Sequence, residues 1–332
     1  VLYRLTLDVL AHVSTPRPSS LIALWTTLTF TVSEALWLQS TRAEVYSLHL
    51  LLVLVVTRWC VLVSMGSSTR KSTLILSSGV LVACGLANHH LLMFAALPGL
   101  LVIAVPACRS HGGGALLGRS MGIAALLVLC LYTVTLLRAQ TTPLMNYGDP
   151  STIKRLWAVI TAQVFVPSVT EVSAPLADNL AGAFDMFLRA LGPVLLLATP
   201  FGLFYIATMR PQLALMFMIG IAFNLATKVL MVLDPTNPDA AGYFLYGMAL
   251  CTVCAGAAFD ALVTQGRWGK AATAGAATLS ILVVVGLWPS PRTDMSELRG
   301  PVTVDSMIVS GMAPDALALT SLPFLHFSRL YH

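Results

Sequence analysis

Ionisable side chains are rare in this sequence, and those that could do chemistry stand beside long apolar runs. Arg42 and Glu44 are two residues apart, and Glu34 precedes them in the same segment. Because a charge close to hydrocarbon is expensive to maintain, these residues favour a functional role, namely binding or activating a substrate hydroxyl or binding a phosphate. The alternative is an ion pair that anchors the end of a helix.

A pair of histidines lies between two other apolar runs, in the sequence Asn88-His89-His90. Adjacent histidines point to different faces of a helix, so they do not form the i, i+4 zinc pair of a metalloprotease, and no third ligand stands near them. The sequence therefore predicts no metal site here. It favours imidazoles that line a polar cavity and titrate near neutral pH, with an interfacial hairpin tip as the alternative.

The segment from Asn146 to Pro150 opens a short amphipathic stretch. The sequence predicts a helix over residues 151–165, with Asp149 as its cap, Pro150 at its N-terminus and an apolar stripe along one face. Such a helix would lie along a membrane surface. Its exposed N-terminus, with Tyr147 and Asp149, is also suited to bind an anion such as a lipid phosphate.

Lys228 stands near the end of another apolar run, one helical turn after Asn224. A lysine at such a place either extends its ammonium group to the membrane interface or meets an anionic head group. Both interpretations remain open from the sequence.

The composition explains why apolar runs surround these residues. Of 332 residues, 57% are hydrophobic and 10% charged, and the mean hydropathy is +0.83. So few charged groups cannot cover the surface of a soluble protein of this length, so the sequence predicts a polytopic, all-α membrane protein. The net charge of +5 comes from basic residues scattered singly, which excludes a nucleic-acid-binding patch.

Apolar segments of about 20 residues predict the membrane helices. Predicted spans cover residues 20–39, 45–65, 73–88, 90–107, 120–137, 191–208, 212–233, 242–263 and 271–288. With residues 1–13 as the end of an earlier span, the total is nine or ten. The spans over 73–88 and 90–107 are short, which favours either tilted, half-buried helices or a helical hairpin.

Lysines and arginines predict the orientation. If 73–107 is a hairpin, the loops that carry Arg17, Arg70, Arg109, Arg210 and Lys270 all fall on one face, the cytoplasmic one. The polar motifs then fall on the extracytoplasmic face, together with a long loop over 138–190. Residues 1–288 form the predicted membrane domain, and residues 289–332 are interpreted as the start of an extracytoplasmic α/β tail.

Three motifs in order resemble a family of polytopic glycosyltransferases that includes a eukaryotic protein O-mannosyltransferase. They are Trp37-Leu-Gln-Ser-Thr-Arg-Ala-Glu-Val-Tyr-Ser-Leu48, Gly85-Leu-Ala-Asn-His-His90 and Asn146-Tyr-Gly-Asp-Pro150. The block from Arg42 to Tyr46 is the most specific. Asp239 to Phe244 and Pro314 to Thr320 are similar to the family more loosely.

The resemblance implies a C-type glycosyltransferase fold and a polyprenyl-phosphate sugar as donor. The transferred sugar, with mannose as the first candidate, would pass to a hydroxyl of a protein or glycan on the extracytoplasmic face. Glu44 and His90 are the predicted catalytic residues, and the predicted substrate-binding or donor-binding residues are Arg42, Glu34, His89, Tyr147, Asp149 and Lys228. No cofactor is implied, membrane lipid is the expected surrounding, and the bacterial inner membrane or the endoplasmic reticulum is the expected location.

One departure from the family pattern concerns the catalytic base. Such families carry an Asp or Glu in the first extracytoplasmic loop, here expected in an Asp-Ser-Gly-Glu-like motif before residue 1, so the chain is interpreted as a fragment. The sequence leaves two alternatives to an enzyme open. One is a transporter or flippase of a lipid-linked or anionic substrate, and the other is a non-catalytic membrane scaffold.

Overall fold

Helices form nearly all the regular structure of this chain. The computed structural model describes residues 1–14, 19–41, 45–66, 71–109, 114–141, 148–161, 163, 175–231, 233, 237, 239–264 and 266–286, and these contain no β-strand. Residues Val1–Val285 form one compact unit. The predicted α/β tail over 289–332 lies outside the described residues.

The described residues contain eleven α-helices and one 3-10 helix. The α-helices are α1 (Leu2–Val13), α2 (Ser20–Thr31), α3 (Glu34–Thr41), α4 (Tyr46–Ser64), α5 (Lys71–Arg109), α6 (Gly114–Ala139), α7 (Ile153–Ile160), α8 (Leu176–Met209), α9 (Pro211–Val229), α10 (Leu245–Val263) and α11 (Arg267–Gly286). The 3-10 helix, Ala240–Phe244, leads directly into α10.

The helix α10 lies at the centre of the bundle and is buried almost throughout. Small residues let its neighbours come close, because glycine has no side chain to hold two backbones apart. A Cβ atom on Gly202 of α8 would lie 1.7 Å from the carbonyl oxygen of Cys254 in α10. In the same way, a Cβ on Gly99 of α5 would lie 2.8 Å from the carbonyl oxygen of Met216 in α9.

The 39-residue helix α5 is broken at His89, whose backbone is extended with φ −156° and ψ 88°. The two halves turn toward each other there, since Met93 Cγ lies 3.6 Å from the Cβ position of Gly85. Residues eight apart in a straight helix would be about 12 Å apart. Ile75 and Ala104, on opposite sides of the break, also line one small cavity with Cys60 of α4. The helical hairpin that the sequence predicted is therefore present, with its tip at His89.

The sequence prediction assigned residues up to 190 to a loop, and this was wrong because the helix α8 covers Leu176–Met209. It begins at Leu176 and continues through a kink at Gly192, whose φ of 66° lies in the left-handed region that glycine tolerates. Pro193 follows and cannot donate a backbone hydrogen bond, which favours a kink at this point. Asn179, Ala183, Phe187 and other buried residues form a stripe at helical spacing in the part that was taken for loop.

The surface helix was predicted at the right place but with the wrong start. It covers Ile153–Ile160, and the side chain of Thr152, not Asp149, caps it by accepting a hydrogen bond from the Arg155 amide. Asp149 instead forms an ion pair with the side chain of Arg155. None of the residues of α7 is buried, and Ile153 and Trp157 are exposed, as a helix on a membrane surface would require.

Six described helices are long and apolar enough to cross a membrane, or up to seven if the bent pair α2 and α3 is one span. This supports a multi-pass membrane protein but gives fewer crossings than the nine or ten predicted. The difference arises because 73–88 and 90–107 belong to one broken helix, and because α1 and α11 are not among the six. Since each half of α5 is about as long as a crossing requires, the count of nine or ten stays a prediction.

The bundle has two chemically distinct ends. We call the end with Tyr46 and His89 the site end and the opposite one the basic end. Arg210 lies at the basic end, where its Nε contacts the carbonyl oxygen of His12 at 3.4 Å. The basic end also holds the two termini of α5, Lys71 and Arg109, because both halves of the hairpin run away from the site end. Arg267 and Lys270 begin α11, directly after α10 reaches that end.

Candidate functional site

Five rings from three segments of the chain meet at the site end. We call Tyr46, His49, His89, His90 and Tyr243 the ring cluster. His89 lies at its centre, with ring centroids 5.6 Å from Tyr46, 6.2 Å from His49, 5.4 Å from Tyr243 and 6.3 Å from His90. Tyr46 and Tyr243 are 5.2 Å apart. The arrangement combines flat apolar ring faces with nitrogen and oxygen atoms that donate or accept hydrogen bonds.

The hairpin tip is fastened to α4, which fixes His89 beside Tyr46. The side-chain amide of Asn88 donates to the carbonyl oxygen of Val45 at 2.9 Å. The same carbonyl oxygen also accepts the hydrogen bond of the His49 amide at 3.0 Å in the first turn of α4, so it joins the hairpin tip to that turn. The break at His89 therefore serves to aim the two imidazoles at the ring cluster.

Lys228, near the end of α9, reaches the same place. Its ammonium nitrogen lies 4.4 Å from the centroid of the Tyr243 ring, within the distance of a cation–π interaction. The sequence left open whether this lysine extends to the interface or meets an anionic group. The structure places its charge over the face of the Tyr243 ring, and the choice between the two interpretations stays a prediction.

Asn224 holds the 3-10 helix that carries Tyr243. Its Nδ2 donates to the Tyr243 carbonyl oxygen at 2.8 Å, and its Oδ1 accepts from the Gly247 amide at 2.9 Å. The side chain is 1% exposed. It thus fixes the backbone on both sides of the junction between the 3-10 helix and α10.

We expect Asn224→Leu to destabilise the protein by about 2 kcal/mol, because two buried backbone groups would lose their only side-chain partner. Thermal unfolding in detergent measures the effect. Asn88→Leu is the matched control, since its single bond to Val45 is exposed and should contribute less. Equal unfolding temperatures for the two variants would show that Asn224 does not hold this junction.

The sequence analysis did not name Tyr46, Tyr243 or His49 of the ring cluster as site residues, and the most deeply buried of the three is His49. It is 2% exposed, and neither of its ring nitrogens has a hydrogen-bond partner among the described residues; the same holds for Nδ1 of His89. A buried polar atom without a partner is costly, so such atoms often mark a place where a ligand or water completes the bonds. The available signal was a histidine inside an apolar run, one helical turn after Tyr46.

Of the other predicted site residues, the structure describes Glu34 and Asp149. Glu34 begins α3, directly after the 61° bend between α2 and α3, and is half-buried. Asp149 pairs with Arg155 near α7, with both side chains about half exposed. Arg42, Glu44 and Tyr147 lie outside the described residues, so their roles stay predictions.

No group of three or more metal-binding side chains occurs among the residues that the structure describes. Within the described part of the chain, the histidines of the ring cluster lie beside tyrosines and a lysine. Hydrogen bonding, ring contacts and one cation therefore account for the chemistry available in the described part of the site.

These observations define a multi-pass membrane protein with a ring-lined polar site at one end of its bundle. Residues 11–110 match the family model of the protein O-mannosyl-transferase TMEM260 N-terminal domain. The match runs from α1 to the end of α5 and contains Tyr46, His49, His89 and His90, and it confirms the predicted resemblance to an O-mannosyltransferase family. Comparisons with curated proteins and with solved structures give no significant match.

Proposed function

We propose that this protein is a membrane glycosyltransferase that moves mannose from a polyprenyl-phosphate carrier to a serine or threonine hydroxyl of a protein. The observation that carries the proposal is the ring cluster, four of whose five members lie in the segment that matches the O-mannosyltransferase family. A C-type arrangement with nine or ten crossings belongs to the same proposal.

The proposed reaction needs one base and a site for a phosphate. Glu44 takes the proton of the acceptor hydroxyl as its oxygen attacks the anomeric carbon, and His90 binds and orients the hydroxyl. The new carbon–oxygen bond forms as the bond from the anomeric carbon to the phosphate oxygen breaks, so the configuration inverts. The polyprenyl phosphate leaves with the electron pair of that bond.

The remaining site residues supply charge and contacts for the donor. Lys228 and Arg42 neutralise the phosphate as charge develops on it, and His89 hydrogen-bonds its oxygens. Glu34, Tyr147 and Asp149 are assigned to binding of the sugar or the acceptor. If an upstream carboxylate is the base instead, Glu44 orients the acceptor hydroxyl.

The two ends of the bundle support an extracytoplasmic site. Basic residues favour the cytoplasmic side of a membrane, and the helix ends opposite the ring cluster carry Lys71, Arg109, Arg210 and Lys270, whereas those on its own side carry Arg138 and Lys228. A donor that diffuses within the bilayer reaches a site at the membrane edge directly. In a eukaryote, the corresponding membrane is that of the endoplasmic reticulum.

The proposal is tested by reconstituting the chain in lipid nanodiscs with polyprenyl-phosphate mannose and a peptide rich in serine and threonine. We expect a peptide with one added hexose, detected by mass spectrometry. A peptide with alanine at every serine and threonine is the control, and a nucleotide-activated mannose without a lipid carrier should give no product.

The alternatives predict different results. A transporter or flippase would give no glycosylated peptide but would move the lipid-linked sugar across the membrane of a sealed vesicle. A scaffold would do neither. Either result with folded protein would overturn the proposed transferase.

A further inference from the structure

A second candidate binding place lies outside the ring cluster and shares no residue with it. An apolar groove of about 640 Å³ runs between α2, the end of α10 and α11. No side chain of the described site residues contributes to it.

The polarity of the groove changes in steps along its length. Ser19 and Lys270 lie at the basic end, where α2 and α11 both begin. Trp25 and Thr273 follow, each roughly one and a half turns into its helix and thus about level with the other. Beyond them, the facing residues are mostly apolar, ending with Val32 on α2.

The level of the groove that Trp25 and Thr273 line contains two polar atoms without a hydrogen-bond partner in the described part of the chain. They are Nε1 of Trp25 and Oγ1 of Thr273, which are buried and make no hydrogen bond to any residue that the structure describes. Thr273 is only 8% exposed. Both atoms lie just beneath the groove surface, where the indole and the hydroxyl make this level of the lining more polar than the part beyond it.

We propose that the groove binds one anionic phospholipid of the leaflet at the basic end. Its phosphate pairs with the exposed ammonium group of Lys270, its ester oxygens lie level with Trp25 and Thr273, and one acyl chain fills the apolar part. A phospholipid has the same order of charge, ester and hydrocarbon along its length that the groove has. This inference goes beyond the transferase proposal and does not depend on it.

The test measures lipid retention by native mass spectrometry after the purified chain is exposed to equal amounts of phosphatidylglycerol and phosphatidylcholine. We expect wild-type protein to retain phosphatidylglycerol roughly fivefold better, the effect of one lysine near an anionic head group. Lys270→Gln should remove this preference. Lys154→Gln, which removes an exposed lysine from α7, should keep it.

A second pair of variants tests the groove itself. Ala274→Trp should fill it and reduce retention of both lipids, whereas Ala272→Trp on an exposed position of the same helix outside the groove should not. Equal retention of the two lipids by wild-type protein, or an unchanged preference in Lys270→Gln, would overturn the proposal. Displacement of phosphatidylglycerol by an equal amount of polyprenyl phosphate would also overturn it, because the groove would then belong to the donor.

Discussion

Replacing Glu44 by glutamine should reduce mannose transfer at least about 100-fold, since general base catalysis typically contributes a factor of 10²–10⁴. Glutamine keeps the size of the side chain but cannot take a proton. The residue stands two positions before Tyr46, the member of the ring cluster that begins α4. The loss should appear in kcat, measured with polyprenyl-phosphate mannose and a serine-containing peptide.

Asp178→Asn is the matched control for this substitution. Asp178 is an exposed acid in the first turn of α8, so its loss should change the rate by less than about twofold, as for an exposed surface substitution. His90→Gln should also lower kcat if His90 orients the acceptor hydroxyl. Full activity in both Glu44→Gln and His90→Gln would exclude both residues from catalysis.

The largest expected effect on stability is that of Gly202→Ala. The new methyl group would lie 1.7 Å from the Cys254 carbonyl oxygen, and both the oxygen and the glycine belong to helix backbones. Neither can move aside as a side chain could, so α8 and α10 must separate. Overpacking usually costs about 1–3 kcal/mol, and we expect about 3 kcal/mol or more here, measured by thermal unfolding in detergent.

Gly118→Ala provides the opposite case. A Cβ on Gly118 of α6 meets no atom within 4 Å, so the substitution should be neutral or stabilise the helix by up to about 1 kcal/mol. An unfolding temperature of Gly202→Ala that equals the wild-type value would show that α8 and α10 do not pack as closely as described.

Much of this fold could be predicted from the sequence, because long apolar runs reveal membrane helices directly. The hairpin tip was also predictable, since two short apolar runs meet at Asn88 to His90 and neither could cross a membrane with much to spare. The first half of α8 was not predicted, because Asp178, Asp185 and Arg189 interrupt its hydrophobicity. The signal that could have predicted this half of α8 is its stripe of buried residues at helical spacing.

The site was predicted in part. His89, His90 and Lys228 were singled out as polar groups in apolar surroundings, and the structure brings them to one end of the bundle. His49 was missed because a single histidine in an apolar helix gives no motif. The position of Tyr243 beside Tyr46 depends on tertiary packing and on the bonds of Asn224, which no local pattern encodes.

The order of the ring cluster along the chain has a consequence for biosynthesis. Tyr46, His49, His89 and His90 are made early, but Tyr243 and the helix α10 that it precedes are made only after four further helices of the bundle. At roughly 5–20 residues per second, the interval between Tyr46 and Tyr243 is about 10–40 s. During that time the imidazole of His89 does not yet have the Tyr243 ring beside it. The site is thus among the last features of the membrane bundle to be completed.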